Sequence, residues 1–274
     1  MPDPTELPQT LDGHFVLHDC YNVLWPAWQS LSVKERDDIS SEAARWLQDE
    51  AGVGQVYSAL YSGIGHKADL VLVHYRSKVD ALNRVERGWK RLKLAGFLRQ
   101  SYSYFSVIEA SLYEAIAIAQ RKASTKGLAM GSREYEDEFE RELAKEKKVL
   151  ENRVLRSIPD QRYLCFYPMN KRRGEQVNWY NLPLDERRTL MRGHGKVGHK
   201  YAKEITQVIG GSIGLDDWEW GVSLHANDPL AIKRLITEMR FDPASSLYAE
   251  FGPFYFAIRQ QPDELPALMA GGLS

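Results

Sequence analysis

The chain has little cysteine and no long run of apolar residues. Its two cysteines, Cys20 and Cys165, are too few for a disulfide framework and form no CxxC metal motif. The first ten residues, MPDPTELPQT, contain neither a basic leader nor an apolar stretch, so no signal peptide is predicted. No apolar stretch approaches the roughly 20 residues that a membrane span needs. We therefore expect a cytoplasmic protein without a membrane partner, in which Cys165 is a small buried thiol.

An excess of charge of either sign is also missing. Lys and Arg together number 36, and Asp and Glu together number 37, which leaves a formal net charge of -1. Nucleic-acid-binding proteins normally carry a basic face and a raised pI, so no nucleic-acid partner is predicted. The sequence contains no P-loop motif and no convincing GxGxxG motif. A near-neutral chain can still contain a local basic pocket, which leaves a small anionic ligand open.

What the sequence contains is one order of elements written twice. In the first half we predict strands at residues 14–23, 53–62, 69–75 and 102–108, and helices at 34–49 and 79–89. The second half repeats this order with strands at 162–167, 205–211, 218–226 and 254–259, and helices at 183–201 and 229–239. Two βαββαβ units predict an α+β protein with two ferredoxin-like (split βαβ) halves in one subunit, of the dimeric α/β-barrel type.

Residues 122–152 are predicted to link an N-terminal half, residues 1–121, to a C-terminal half, residues 153–274. The first part of the link, ASTKGLAMGS, is small and polar, as a flexible linker should be. The following REYEDEFERELAKEKKVLENRVLR predicts a highly charged helix. Such a helix is typical of a solvated connector, and packing against a neighbouring subunit is the alternative.

The helix predicted at residues 183–201 carries a histidine on its apolar side. Leu190, His194, Val197 and Tyr201 recur at helical spacing, so His194 points along the apolar face. Three glycines crowd the same stretch, and each costs a helix interior about 1 kcal/mol relative to alanine. Such a cost is accepted where a flat macrocycle must approach the backbone. The residues alone also allow a satisfied core histidine beside a glycine-loosened helix end, because a single histidine ligand has no spacing signature.

A tyrosine at the end of a predicted strand is followed by three cations, at residues 171–173. Alternation along the strand places Tyr163, Cys165 and Tyr167 on one face, and we expect Pro168 to end the ladder. A tyrosine followed closely by cations suits a pocket that binds carboxylates. The alternative is an aromatic sheet residue before a solvated basic turn.

Gln207 and the corner after the last long helix are two further candidates. Period two places Gln207 on the same face as Ile205 and Ile209, where a buried amide needs a backbone group or a ligand as its partner. The corner at residues 240–246, RFDPASS, supplies one guanidinium and two hydroxyls and is either a ligand pocket or a structural turn. The six other histidines lack metal-ligand spacing such as HExxH, and we expect them to be structural or surface residues. They are His14, His18, His66, His74, His199 and His225.

Three stretches in this order resemble the coproheme decarboxylases, the peroxide-dependent haem synthases of the chlorite-dismutase-like superfamily. They are YPMNKRR, LMRGHGKVGHKYAKEITQVIGGSIGLDDWEWGV and MRFDPASSLYAEFGPFYFAIR. The resemblance covers about residues 153–259, whereas the N-terminal half fits the family's fold through less specific motifs. It implies that the C-terminal half binds coproheme or haem and that the N-terminal half does not.

The resemblance also implies roles for individual residues. His194 would be the proximal axial ligand of the iron, with its other ring nitrogen donating to a carboxylate or carbonyl. Gln207 would stand on the distal side, over the sixth iron position. Tyr167 would be the redox-active tyrosine beside one propionate, with Lys171 at the second. Propionate carboxylates would also be bound by Arg153, Arg240 and Ser245. Less specific pocket neighbours are Met169, Trp179 and either Trp218 or Trp220.

The reaction so implied is the oxidative decarboxylation of two propionates of iron coproporphyrin III (coproheme) to vinyl groups. Hydrogen peroxide is the oxidant, a tyrosyl radical mediates the step, and haem b is the product, so the porphyrin is both substrate and cofactor. The family implies a homopentamer and delivery by a ferrochelatase. Chlorite dismutases of this fold carry a distal arginine where Gln207 falls and lack the tyrosine–lysine pair, which favours decarboxylation. A chlorite dismutase or haem peroxidase, and a non-catalytic haem-binding protein, are the alternatives.

Overall fold

The structure is a computed structural model that describes residues 9–52 and 54–271. Residues 1–8, for which no signal peptide was predicted, residue 53 at the start of a predicted strand, and residues 272–274 lie outside these ranges. The strands are β1 Thr10–Val23, β2 Ser58–Gly63, β3 Leu70–Arg76, β4 Leu98–Ser111, β5 Tyr163–Lys171, β6 Ile205–Gly211, β7 Trp220–Ala226, β8 Ala249–Phe251 and β9 Tyr255–Gln260. The helices are α1 Trp25–Gln29, α2 Val33–Ala51, α3 Val79–Trp89, α4 Tyr113–Thr125, α5 Arg133–Val154, α6 Leu184–Lys200, α7 Pro229–Met239, α8 Pro243–Ser246 and α9 Leu265–Met269.

Both halves arrange four strands in the same spatial order. The first half has the order β4-β1-β3-β2, and the second half has β9-β5-β7-β6, so the repeat in the sequence is a repeat in space. β4 pairs with β6 and β2 pairs with β9, both antiparallel, which closes the eight strands into a barrel. β8 pairs with the C-terminal end of β5. The predicted α+β class with two ferredoxin-like halves is confirmed.

Alternation along each strand separates the barrel interior from its outer surface. On β5, Phe166 packs inside the barrel with residues of the first half, whereas Cys165 and Tyr167 pack outside with α7. The outer surface of the first half is covered by α2 and α3, which bury large residues such as Trp89. A capping box between Ser32 and the third residue of α2 begins that helix. The helices in the corresponding positions of the second half are α6 and α7.

Two local predictions were wrong. Pro168 does not end the ladder, because β5 continues to Lys171 and pairs with β7 as far as Met169. The missing N–H is tolerated because β5 changes partner from β9 to β8 here, and the Pro168 carbonyl accepts the Gly252 N–H at 2.9 Å.

The predicted flexible linker also begins too early, since residues 122–125 belong to α4. The charged helix itself is found as α5, and it packs against α4. Lys122 of α4 forms an ion pair with Glu142 of α5 at 3.2 Å, and Lys126, which follows α4, forms one with Glu138 at 2.7 Å. The division into halves at residues 121 and 153 stays a prediction. In the part of the chain that the structure describes, no helix is both long and apolar enough to cross a membrane.

Candidate functional site

The apolar stripe of α6 is only half covered. Leu190, His194 and Val197 are all half-buried, although they lie on the side that helical spacing marks as apolar. α6 packs on α7 and α8. A helix of a closed core would bury this stripe, so its incomplete burial leaves an open apolar surface beside His194. The half-buried side chains of this surface are Met169, Val197, Tyr201, Ile209, Phe251 and Phe254.

His194 is held by a carboxylate that follows α7 in the chain. Its Nδ1 donates to Asp242 Oδ2 at 2.8 Å, and the Asp242 side chain is only 3% exposed. Asp242 is also the N-cap of α8, where its carboxylate accepts the Ser245 backbone N–H at 3.2 Å. The Ser245 hydroxyl lies 3.3 Å from the same carboxylate oxygen and 3.4 Å from His194 Nδ1. The contact with a carboxylate is the one expected for this histidine, whose role as an iron ligand stays a prediction.

This geometry selects one tautomer of the neutral imidazole. A carboxylate accepts only, so Nδ1 carries a proton, and in the neutral ring the lone pair is on Nε2. Nε2 has no hydrogen-bond partner among the described residues, and the side chain is 28% exposed. An imidazole with one nitrogen held and the other accessible is the arrangement of a metal-ligating histidine.

Lys171 is tied to the same short turn. Its Nζ donates to the carbonyl of Ala244 in α8 at 2.9 Å and lies 4.2 Å from the centre of the Trp179 ring. Burial lowers the pKa of the Lys171 ammonium to about 8, against the opposing charges of Asp242 and Glu219. An ammonium with such a pKa can bind an anion and can also release a proton near neutral pH.

Tyr167 lies in an aromatic cluster on the outer face of β5. Its ring stacks on Phe254 with centroids 4.4 Å apart and contacts Phe251 at 5.8 Å. Burial raises the pKa of the Tyr167 phenol, the neighbouring Cys165 raises it further, and Arg240 lowers it. The phenol is therefore neutral near pH 7, and its hydroxyl has no hydrogen-bond partner in the described part of the chain.

Arg240 belongs to the same cluster as Tyr167. Its guanidinium lies over Phe251, 4.1 Å from the ring centre, while the residue as a whole is exposed. A guanidinium stacked on an aromatic ring keeps its N–H groups free for an anion.

Gln207 differs from its prediction. It is exposed on the outer face of β6 and has no hydrogen-bond partner among the described residues, so it is neither enclosed by isoleucines nor paired with the backbone. Because α6 does not close over β6, the amide remains accessible. A methyl group added at Gly198 of α6 would lie 3.9 Å from Gln207 Oε1, which places the amide close to the helix that carries His194.

Other predicted residues lie apart from this cluster. Arg153 is exposed in the last turn of α5, and no described contact joins it to the residues around His194. Trp220 donates from its indole to Glu109 of β4 at 2.9 Å, and Trp218 packs against the barrel interior. Of the six histidines expected to be structural or surface residues, His14, His18, His74 and His225 are buried, and His66 and His199 are exposed. Within the described ranges, no three His, Cys, Asp or Glu residues are grouped to hold a metal ion.

The residue that sequence reasoning missed is Asp242. Its signal was present, because Asp-Pro-x-Ser is the start of a capped helix. Its contact with a histidine 48 residues earlier in the chain depends on the fold.

Comparison with known proteins finds one family over most of the chain. The family model described as chlorite dismutase matches residues 36–260. A protein of Natronomonas pharaonis, provisionally named as haem-binding, is 43% identical over 266 residues, which are 96% of this chain and 42% of the relative. A similarly named protein of Halobacterium salinarum is 41% identical over 269 residues, 97% of this chain and 51% of the relative. The chain thus spans about half the length of these relatives or less.

Solved structures show the same relationship. A novel haem-binding protein from Thermus thermophilus superposes with a TM-score of 0.78 at 36% identity, covering 97% of this chain and 98% of that one. A mutant chlorite dismutase from Candidatus Nitrospira defluvii superposes with a TM-score of 0.71, covering 94% and 96%. At 16% identity, this second likeness concerns the fold alone.

Proposed function

The chain belongs to the chlorite dismutase family, and on that premise we propose that it is a hydrogen peroxide-dependent coproheme decarboxylase. Its substrate is iron coproporphyrin III, two propionates of which become vinyl groups, so that haem b is the product. The relatives named as haem-binding support a haem-type ligand. The proposal that this ligand is coproheme, and not another haem, rests on the residues of the site.

The hydrogen bond between His194 and Asp242 is the observation that carries the proposal. It holds the neutral imidazole in the tautomer whose Nε2 can bind an iron, and it raises the basicity of that nitrogen. The half-exposed apolar surface beside α6 suits a flat macrocycle. These residues fit a porphyrin iron, which together with peroxide supplies the oxidising equivalents of the reaction.

Cationic and polar groups near this surface suit the propionates. Lys171 binds a carboxylate as a point charge and can move a proton, because its pKa is close to 8. Arg240 offers a guanidinium beside the Tyr167 cluster. The assignment of Arg153 and Ser245 to propionates rests on the resemblance, and Ser245 also supports Asp242.

Tyr167 mediates the removal of electrons from each propionate. Its phenoxyl radical takes one hydrogen atom from the propionate carbon next to the porphyrin ring, and a second electron passes to the peroxide oxidant. The bond to the carboxylate then breaks, CO₂ leaves and a carbon–carbon double bond remains. Each step consumes one hydrogen peroxide and one proton and yields two waters, so atoms and charges balance. The aromatic surroundings of Tyr167 keep the phenol dry and positioned.

Gln207 supports decarboxylation over chlorite breakdown. Its neutral, exposed amide supplies no positive charge to retain an anionic fragment on the distal side. A haem peroxidase or a non-catalytic haem-binding protein of the same fold is the second candidate, supported by the names of the relatives.

The test is to titrate apoprotein with iron coproporphyrin III, add hydrogen peroxide and identify the products by mass spectrometry. We expect the native protein to form monovinyl and divinyl products. Tyr167→Phe should bind the porphyrin but form no product, and Tyr163→Phe, on the same face of β5, should behave as native. Product formation by Tyr167→Phe at the native rate would contradict the radical role. Porphyrin binding without any product in the native protein would favour the carrier.

The proposal includes the assembly and the supply of the substrate. By family resemblance we expect a homopentamer that receives coproheme from a ferrochelatase in the cytoplasm, without nucleic-acid or membrane partners. Light scattering of the purified protein measures the assembly, and a monomer would contradict it.

A further inference from the structure

A second group of polar side chains lies inside the barrel, on the other face of the sheet from His194. It consists of Tyr75 on β3, His225 on β7, Arg259 on β9 and Arg156, which follows α5. Along the chain, Arg156 lies between Val154 and Ile158, which both pack in the barrel interior. We call these four residues the interior cluster. None of them has a part in the proposed reaction.

Several atoms of the interior cluster lack the partners that buried polar atoms need. His225 is 0% exposed, and both of its ring nitrogens are without a hydrogen-bond partner among the described residues. The Tyr75 hydroxyl and Arg156 Nε are buried and unpartnered in the same way. Buried polar groups in folded proteins are nearly always hydrogen-bonded, so orphaned atoms concentrated in one place indicate a missing partner.

The charge of the interior cluster indicates what that partner is. Arg156 and Arg259 form no ion pair with any acid in the described part of the chain; Arg259 donates only to the neutral Pro159 carbonyl at 2.6 Å and the Tyr61 hydroxyl at 3.2 Å. Arg76, by comparison, is paired with Glu50. Both arginines are half-buried, and neither has a counter-charge among the described residues.

The pKa of His225 is consistent with positive charge nearby that has no counter-charge. Burial, followed by the electrostatic effects of His18, Arg259 and Arg156, lowers its pKa to about 3. Water molecules would satisfy the orphaned donors, but they would leave both guanidiniums uncompensated.

We propose that the barrel interior binds one small inorganic anion between Arg156, Arg259, Tyr75 and His225. The site takes an anion of halide size, because the surrounding interior is filled by rings such as Tyr61, whose centroid is 6.5 Å from that of His225. The anion supplies the counter-charge and accepts from the Tyr75 hydroxyl, Arg156 Nε and a ring N–H of His225. It joins strands of both halves, and so its binding strengthens the closure of the barrel.

The test is thermal unfolding of the full chain while sodium gluconate is replaced by sodium chloride at constant ionic strength. We expect the midpoint of the native protein to rise with the logarithm of the chloride concentration once chloride exceeds its dissociation constant, because a ligand of the folded state stabilises it by RT ln(1 + [L]/Kd). Arg156→Gln and His225→Leu should lose this rise. The control Arg99→Gln removes an exposed arginine and should keep it.

Crystals soaked in sodium bromide locate the site independently of these variants. An anomalous peak inside the barrel, beside Arg156 and His225, is the expected result. A native midpoint that does not respond to chloride, or a response of equal size in all three variants, would overturn the proposal. So would a bromide map in which this position holds only water, or shows no peak.

Discussion

Two replacements of Asp242 should separate the effect of its contact with His194 from the effect of its contact with the first turn of α8. Asp242→Asn keeps a good N-cap residue for α8 but loses the negative charge that faces His194 Nδ1 at 2.8 Å. Loss of such a supporting group typically lowers metal affinity about 10- to 100-fold, which corresponds to about 1.4–2.7 kcal/mol. Asp242→Ala should show the same loss of affinity and also destabilise the apoprotein by about 1 kcal/mol, because the cap is gone.

The assay for Asp242 has two readouts. Absorbance titration with iron coproporphyrin III measures the dissociation constant, and urea unfolding of the apoprotein measures stability. Asp228→Ala is the matched control, because Asp228 caps α7 by accepting the Leu230 N–H at 2.9 Å and has no contact with His194. It should lower stability similarly and leave affinity unchanged. Native affinity in Asp242→Asn would refute the reasoning that the carboxylate fixes the imidazole.

Two further predictions concern Lys171 and Gly195. The pKa of Lys171 is lowered in the folded state to about 8 from the ordinary 10.5. Between these pH values the unfolded chain therefore binds more protons than the folded chain. The free energy of unfolding should rise by up to about 3 kcal/mol from pH 8 to pH 10.5. Urea unfolding against pH should show that this rise is missing in Lys171→Met and present in Lys200→Met, and equal profiles would contradict it. Gly195→Ala should stabilise the apoprotein by about 1 kcal/mol, since an added methyl meets no described atom within 4 Å. Denaturant unfolding measures this, and a destabilised variant would show that the open space beside α6 is wrongly placed.

The order of the elements could be predicted from the sequence because it depends on local periodicity. The bounds predicted for β6 and α7 match those of the structure. The doubled unit predicted the barrel type, but the strand pairs that close the barrel, β4–β6 and β2–β9, join different halves and do not follow from local periodicity.

The candidate site was predicted only in part. Lys171 and His194 were singled out from their motifs, but the short turn at α8 that joins them is a product of the fold. Gln207 was expected among isoleucines with a backbone group or a ligand as its partner, and its exposure follows from the position of α6 rather than from the alternation along β6. Pro168 was expected to end β5, and a change of partner strand allows it to stay within the ladder.

The most direct test of the account is the affinity of His194→Ala for iron coproporphyrin III, measured by absorbance titration of the apoprotein. His199→Ala, which removes an exposed histidine from the same helix, is the control. The account predicts that His194→Ala loses the spectrum of an imidazole-bound iron and at least tenfold in affinity, while His199→Ala keeps both. A His194→Ala variant with the native spectrum and the native dissociation constant would contradict it.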